Sequence, residues 1–178
     1  MSGDVRVWDV LTGREVAKWP TPVRLISSIR LNPESHLALL ANERDRYAIV
    51  DIRDGRVLAE PVDGWSMSND WRMIALPNED GISVIRLDDP DSILNMRIPN
   101  ATATAFSNDA RELVTADSSG LIRVWQLDAT PPSGISIGRH QDRVSDVFFT
   151  NDDRRIVAVS KSGPRLWSAR GTERLELI

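Results

Sequence analysis

The chain has 178 residues, 41% of them hydrophobic and 27% charged, with a formal net charge of −4. That is enough chain to bury a sizeable core, and its charge gives no sequence-independent pull towards nucleic acid or an anionic membrane, so neither is expected as a partner. Without cysteine there are no disulfides and no thiolate metal sites, no apolar run approaches the roughly 20 residues of a membrane-spanning helix, and Met1 opens no basic-then-apolar leader, which together point to the cytoplasm.

The first element is DVRVW (4–8), a β-strand closed by Trp8-Asp9, followed by the turn TGRE (12–15) and a partner strand VAKW (16–19). Four short strands come next: Leu25–Leu31, Leu37–Ala41, Tyr47–Ile52 and Val57–Glu60, the last two joined by the Gly-containing turn RDGR (53–56). Further on, MSNDWRMIAL (67–76) is an apolar residue, a polar turn and an apolar run. FSNDARELVT (106–115) and FTNDDRRIVAV (149–159) repeat it, and LNPESHLALLA (31–41) is a looser copy. Asn, Asp and Pro suit such turns because their side chains or fixed φ favour tight reversals. No stretch sustains the 3.6-residue period of a helix, and PPSG (131–134) reads as a local loop.

These copies are evenly spaced. The anchors Leu31, Met67, Phe106 and Phe149 lie 36, 39 and 43 residues apart. VRVWD (5–9), AIVDI (48–52), ISVIRL (82–87), IRVWQL (122–127) and PRLWSA (164–169) align at Trp8, Val50, Ile85, Trp125 and Trp167, spaced 42, 35, 40 and 42. A third anchor pairs Ile26 with Leu31, Val62 with Met67, Ala101 with Phe106 and Val144 with Phe149. The spacing predicts a half repeat over 1–19 and complete four-stranded repeats over 22–60, 62–98, 101–137 and 139–178. Runs such as LALLA and IVAV are apolar at consecutive positions, as in sheets covered on both faces.

The pattern resembles the WD-repeat β-propeller family. The period and four strands per repeat match its blades, Trp8-Asp9 is a full WD dipeptide, Trp125-Gln126 and Trp167-Ser168 keep the Trp, and Arg139-His140 half-matches the family's Gly-His. Residues 106–125 are similar to the bacterial versions of the repeat. The resemblance implies an all-β fold of antiparallel four-stranded blades, about four and a half of them in one partial propeller domain over 1–178. Family blades are often tied by a His, Ser/Thr, Asp and Trp hydrogen-bonded set. His140, Ser160 and Trp167 supply part of one, but SKSG (160–163) has no Asp, Ser119 stands at the usual Asp position, and the second and third repeats lack the Trp. The blades are therefore expected to depend more on apolar packing, with modest stability.

Candidate chemistry is sparse. His36 and His140 are far apart and lack a clustered partner set for metal binding or base catalysis. No Walker, G-x-S-x-G, H-E-x-x-H or dinucleotide pattern occurs. The acids of LDDPDS (87–92) and NEDG (78–81) do not have Ca²⁺-loop spacing and read as solvated turns. No catalytic, metal or cofactor site is expected. Trp71 takes the turn slot held elsewhere by Ser35, Ala110 and Asp153; it is either a partner-contact residue or folds back over its own blade edge. Trp65 aligns with Ile29 and Val147 as core, Trp8, Trp125 and Trp167 align as blade core, and Trp19 as packing.

The half repeat duplicates the third and fourth strands already present in 139–178, so it cannot complete that blade. The expectation is an unclosed arc: part of a larger propeller or signalling protein, an open arc, or a first blade completed by another chain or by self-association. The resemblance implies a non-enzymatic scaffold for protein partners. An enzymatic or small-ligand propeller and a remnant without independent function stand as alternatives.

Overall fold

The computed structural model describes residues 4–20, 25–32, 36–42, 47–59, 66–87, 89, 92–171 and 174–175. All regular structure among them is β-strand, as expected. The chain divides into two compact units, Met1–Asp63 and Gly64–Ile178.

In the first unit, β1 (Asp4–Trp8) and β2 (Glu15–Pro20) form a two-stranded antiparallel sheet. Asp9 closes it: one carboxylate oxygen accepts from the Leu11 and Thr12 amides and from the Thr12 hydroxyl. The Thr12 amide and hydroxyl hold the Asp9 carboxyl below its ordinary range. Next come β3 (Ile26–Leu31), β4 (Leu37–Asn42), β5 (Tyr47–Asp51) and β6 (Val57–Ala59), paired in chain order as one sheet. The two sheets share a core of Val5, Trp19, Ala38, Leu40, Ala48 and Val50, with Ile26 packed against it. Ala38, Leu39, Leu40 and Ala41 are all buried, so the middle of the sheet is covered on both faces and can be apolar without alternation.

The second unit holds three four-stranded antiparallel sheets, each again in chain order. They are β7 (Ser66–Met67), β8 (Met73–Pro77), β9 (Gly81–Arg86) and β10 (Ile93–Arg97); β11 (Ala101–Phe106), β12 (Glu112–Asp117), β13 (Leu121–Gln126) and β14 (Ser133–Arg139); and β15 (Val144–Phe149), β16 (Arg155–Ser160), β17 (Gly163–Ser168) and β18 (Arg174–Leu175). Phe106 and Leu113 join Ala75, Ile82, Val84, Met96 and Ile98 in one core. Val144, Val147, Ile156 and Trp167 join Val114, Ile122, Val124 and Ile137 in another. Each sheet thus buries one face against the next. Burial falls off outwards: β12 is buried from Leu113 to Asp117, whereas four of the first five residues of β14 are exposed.

The repeat is visible in the backbone as well. β3, β11 and β15 each carry a register irregularity near their starts, between Ile26 and Ser28, Ala101 and Ala103, and Val144 and Asp146. Two bounds differ from the sequence expectation. β14 runs past residue 137 to Arg139 and includes Ser133 and Gly134 of the expected PPSG loop. It can begin so early because Gly134 pairs with Trp125 and leaves room for the indole; a Cβ there would lie 2.5 Å from Trp125 Cε3. The last strand of the repeat expected over 139–178 is Arg174–Leu175 within the described residues. Val62 and Trp65 lie outside them, as do Ser35 and residues 88, 90 and 91 of the LDDPDS turn.

Candidate functional site

The three S/T-N-D turns of the second unit share one construction. Ser68, Ser107 and Thr150 each donate a hydroxyl hydrogen bond to the Asp two residues on, at 2.6, 2.7 and 2.6 Å from Asp70, Asp109 and Asp152. Each hydroxyl oxygen also accepts the amide five residues on, from Met73, Glu112 and Arg155. Each Asp accepts the amide two residues further, from Arg72, Arg111 and Arg154. The hydroxyls of Ser107 and Thr150, then the Arg111 and Arg154 amides, hold the Asp109 and Asp152 carboxyls below their ordinary range. The residue after each Asp is driven left-handed: Trp71 at φ 59°, Ala110 at 59° and Asp153 at 54°.

These turns are tied to one another. Asn69 Nδ2 donates to Asn108 Oδ1 at 2.9 Å. Asn108 in turn donates its backbone amide to both Asp153 carboxylate oxygens, at 2.8 and 3.0 Å, and its Nδ2 to Asp153 Oδ1 and to the Thr150 carbonyl. One rim of the unit is therefore a cross-linked row of turns. Trp71 sits on it, half-buried, where Ala110 is buried and Asp153 makes the link. A left-handed conformation costs an L-residue about 1–2 kcal/mol, and only Gly, Asn and Asp adopt it readily. A bulky Trp there is an outlier of the kind that marks functional positions.

The two histidines have structural settings. His140 is fully buried, with Nε2 3.1 Å from the Gly163 carbonyl and Nδ1 3.1 Å from Ser160 Oγ. Its ring lies 5.9 Å from that of Trp167, which is itself buried. Of the partial set expected from the sequence, His140 and Ser160 are hydrogen-bonded, and Trp167 joins them through the ring contact. Trp167 seats against β14, where Gly138 has no side chain: a Cβ there would lie 2.3 Å from Trp167 Nε1. His36 is exposed, and its carbonyl accepts from the Ile52 amide. Among the described residues no group of three or more His, Cys, Asp or Glu is placed to hold a metal. In NEDG it is Asn78 that orders the turn, accepting the Asp80 and Gly81 amides.

Two features were not anticipated. In the β11–β14 sheet, Trp125 Nε1 donates to Thr115 Oγ1 at 2.9 Å, and Asp117 rather than residue 119 anchors the turn, accepting the Ser119 amide, the Ser119 hydroxyl and the Leu121 amide. Gly120 follows at φ 82°, close under the next element, because a Cβ would lie 2.3 Å from the His140 carbonyl. Asp117 followed by Ser118, Ser119 and Gly120 carried that signal. The second feature is a correction. Trp8 aligns with Trp125 and Trp167, yet it is 53% exposed where Trp167 is 2%. β1 has β2 on one side and, among the described residues, no strand on the other, which leaves the indole half-exposed.

The chain is 22% identical over 177 residues to Periodic tryptophan protein 2 of Saccharomyces cerevisiae (strain ATCC 204508 / S288c). The alignment takes in 89% of this chain and 19% of that protein. The four-stranded antiparallel sheets, each in chain order, are a fold of the β-propeller type. No protein-family profile matches the chain. Among the described residues no helix is long and apolar enough to cross a membrane.

Proposed function

We propose that residues 1–178 form one partial propeller domain that serves as a non-enzymatic, cytoplasmic scaffold and holds a protein partner on the rim of S/T-N-D turns. Trp71 is the contact residue. The observation that carries this reading is the conformation of Trp71: half-exposed, left-handed and mounted on a turn fixed by three hydrogen bonds to Ser68 and Asp70. Large aromatics on rigid supports make effective contact anchors because little entropy is lost on binding. A second surface for protein contact is the β1 edge of the two-stranded sheet, which has no strand beside it among the described residues.

Affinity capture with the whole chain as bait tests the rim. Trp71→Asn removes the indole but keeps a residue at ease in the left-handed region, and Ser136→Ala on the exposed strand β14 is the control. Proteins held by the wild type and by Ser136→Ala, and lost with Trp71→Asn, are the expected result. An identical captured set with all three baits overturns the assignment of Trp71.

A further inference from the structure

The strands of the second unit end in two opposite rims. β11 pairs with β12 from Phe106↔Leu113 to Ala101↔Asp117, so the turn 117–120 stands at the far end of these strands from the S/T-N-D turns. There it meets the connection 139–143 and the turn 160–163. The Gly120 carbonyl accepts the His140 amide at 2.8 Å, His140 reaches the Gly163 carbonyl and Ser160, and the Ser162 hydroxyl donates to Asp142. The three segments are thus tied into one body.

Its exposed charges have one sign. Arg139, Arg143 and Lys161 are exposed, and none of them is ion-paired among the described residues. The two carboxylates of these segments are engaged elsewhere: Asp117 is buried, 3.6 Å from Arg123, and Asp142 is half-buried against Ser162. The opposite rim is balanced, because Arg72, Arg111 and Arg154 each lie two residues after an Asp. An unneutralised basic patch therefore stands on a chain whose formal net charge is −4. Arg139 is also held in place. Its Nη1 donates to the Ser119 carbonyl and hydroxyl, each at 2.7 Å. That uses both protons of Nη1 and leaves the edge formed by Nε and Nη2, which grips a carboxylate with two parallel hydrogen bonds. Arg53 uses the same edge on Asp51, at 3.0 and 2.6 Å.

We propose that this second rim binds a short acidic segment of a protein partner. Arg139 takes one carboxylate through its Nε–Nη2 edge, and Arg143 and Lys161 take the charge of its neighbours. Complementary charge selects and steers such a partner, and the prior fixing of Arg139 by Ser119 lowers the ordering cost of binding. The segment is short because carboxylates border the patch: Asp146 is exposed on β15, and Glu79 and Asp80 are exposed in the corresponding turn of the β7–β10 sheet. A peptide is favoured over single-stranded nucleic acid because segments 117–120, 139–143 and 160–163 carry no exposed aromatic ring on which a base could stack. The site is independent of Trp71, so the chain can hold two partners on opposite rims.

The probe is an end-blocked hexapeptide of alternating Glu and Asp, titrated into the isotope-labelled full chain and followed by amide chemical shifts. At about 0.01 M salt, shifts are expected at Ser118, Ser119, Gln141 and Ser162 and not at Trp71. They should fade at about 0.15 M, where the screening length falls from about 30 to about 8 Å. Arg139→Gln is expected to weaken binding about tenfold, and Arg139→Lys to restore little of it, since an ammonium has no fork. Lys161→Gln should weaken binding about threefold; Lys161 is exposed, so this variant guards against a folding defect at Arg139. Trp71→Asn should leave binding unchanged, which separates this rim from the other. The matching Gln/Asn hexapeptide is expected not to bind. Equal binding of that peptide, or titrations unaltered by both Arg139→Gln and Lys161→Gln, overturns the proposal. Tighter binding of a single-stranded oligonucleotide of equal charge does so too, as do the same shifts arising with a doubling of mass in the chain alone, since the occupant is then nucleic acid or a second copy.

Discussion

Gly138→Ala tests how sheets of the second unit are locked together. The added Cβ would stand 2.3 Å from Trp167 Nε1, 2.8 Å from Cδ1 and 3.2 Å from Cε2. Distances below 3.0 Å cannot be tolerated, so either the indole or β14 must move. The indole has little freedom: it is 2% exposed, its ring neighbour His140 is fully buried, and Ile156 and Ala158 of the same core are at 0%. Overpacking a closed core costs about 1–3 kcal/mol, and the upper part of that range applies where the obstructing group is a rigid aromatic. Urea unfolding followed by tryptophan fluorescence should give a loss of about 2–3 kcal/mol at unchanged m. Trp167→Phe deletes the atom nearest the new methyl, so the double variant should recover at least about 1 kcal/mol relative to additivity. Gly134→Ala is the contrast: its Cβ meets Trp125, a half-buried ring with room to tilt, and it should cost less. A Gly138→Ala loss below about 0.5 kcal/mol, the level of an ordinary surface change, would refute the reasoning, as would a double variant that is simply additive.

Two further outcomes follow from the turns. Ser107→Ala removes the buried hydroxyl that donates to Asp109 and accepts the half-buried Glu112 amide, which should cost about 1–2 kcal/mol in the same urea assay. The exposed Arg53 guanidinium is hydrogen-bonded to Asp51 and holds that buried carboxyl down at about 2. The unfolded chain binds the proton more tightly, so this contribution is full above about pH 4 and is lost as pH falls through about 2. Amide exchange at β4 and β5 should show Asp51→Asn less protected than wild type at pH 7, with the difference shrinking from pH 4 to pH 2.

Much of the fold was legible because the repeat signals each other's positions. The period placed all four strands of 22–60 within a residue or so of β3 to β6, since a turn of fixed chemistry between apolar runs leaves little choice of register. The start of β14 was not legible, because PPSG is turn-like in composition and only the clearance that Gly134 gives Trp125 makes it strand. The staple within each turn could have been read: Ser or Thr two residues before Asp is a local side-chain competitor for the backbone. The ties between turns could not. Asn108 and Asp153 are 45 residues apart and meet only once two sheets have packed.

The three aligned tryptophans show where the limit lies. Trp8, Trp125 and Trp167 occupy one strand position by sequence, yet they are 53% exposed, half-buried and 2% exposed. Their own strands do not differ enough to cause this. Trp167 has Gly138 beneath it and His140 beside it, Trp125 has Thr115 on the adjacent strand, and Trp8 has, among the described residues, no strand on that edge. An indole is fully buried only where a neighbour supplies both clearance and cover. Sequence periodicity assigns the position, but the neighbouring strand decides the burial. The exposure of Trp8 therefore measures the state of the β1 edge, and its fluorescence should be the first signal to change when that edge is filled.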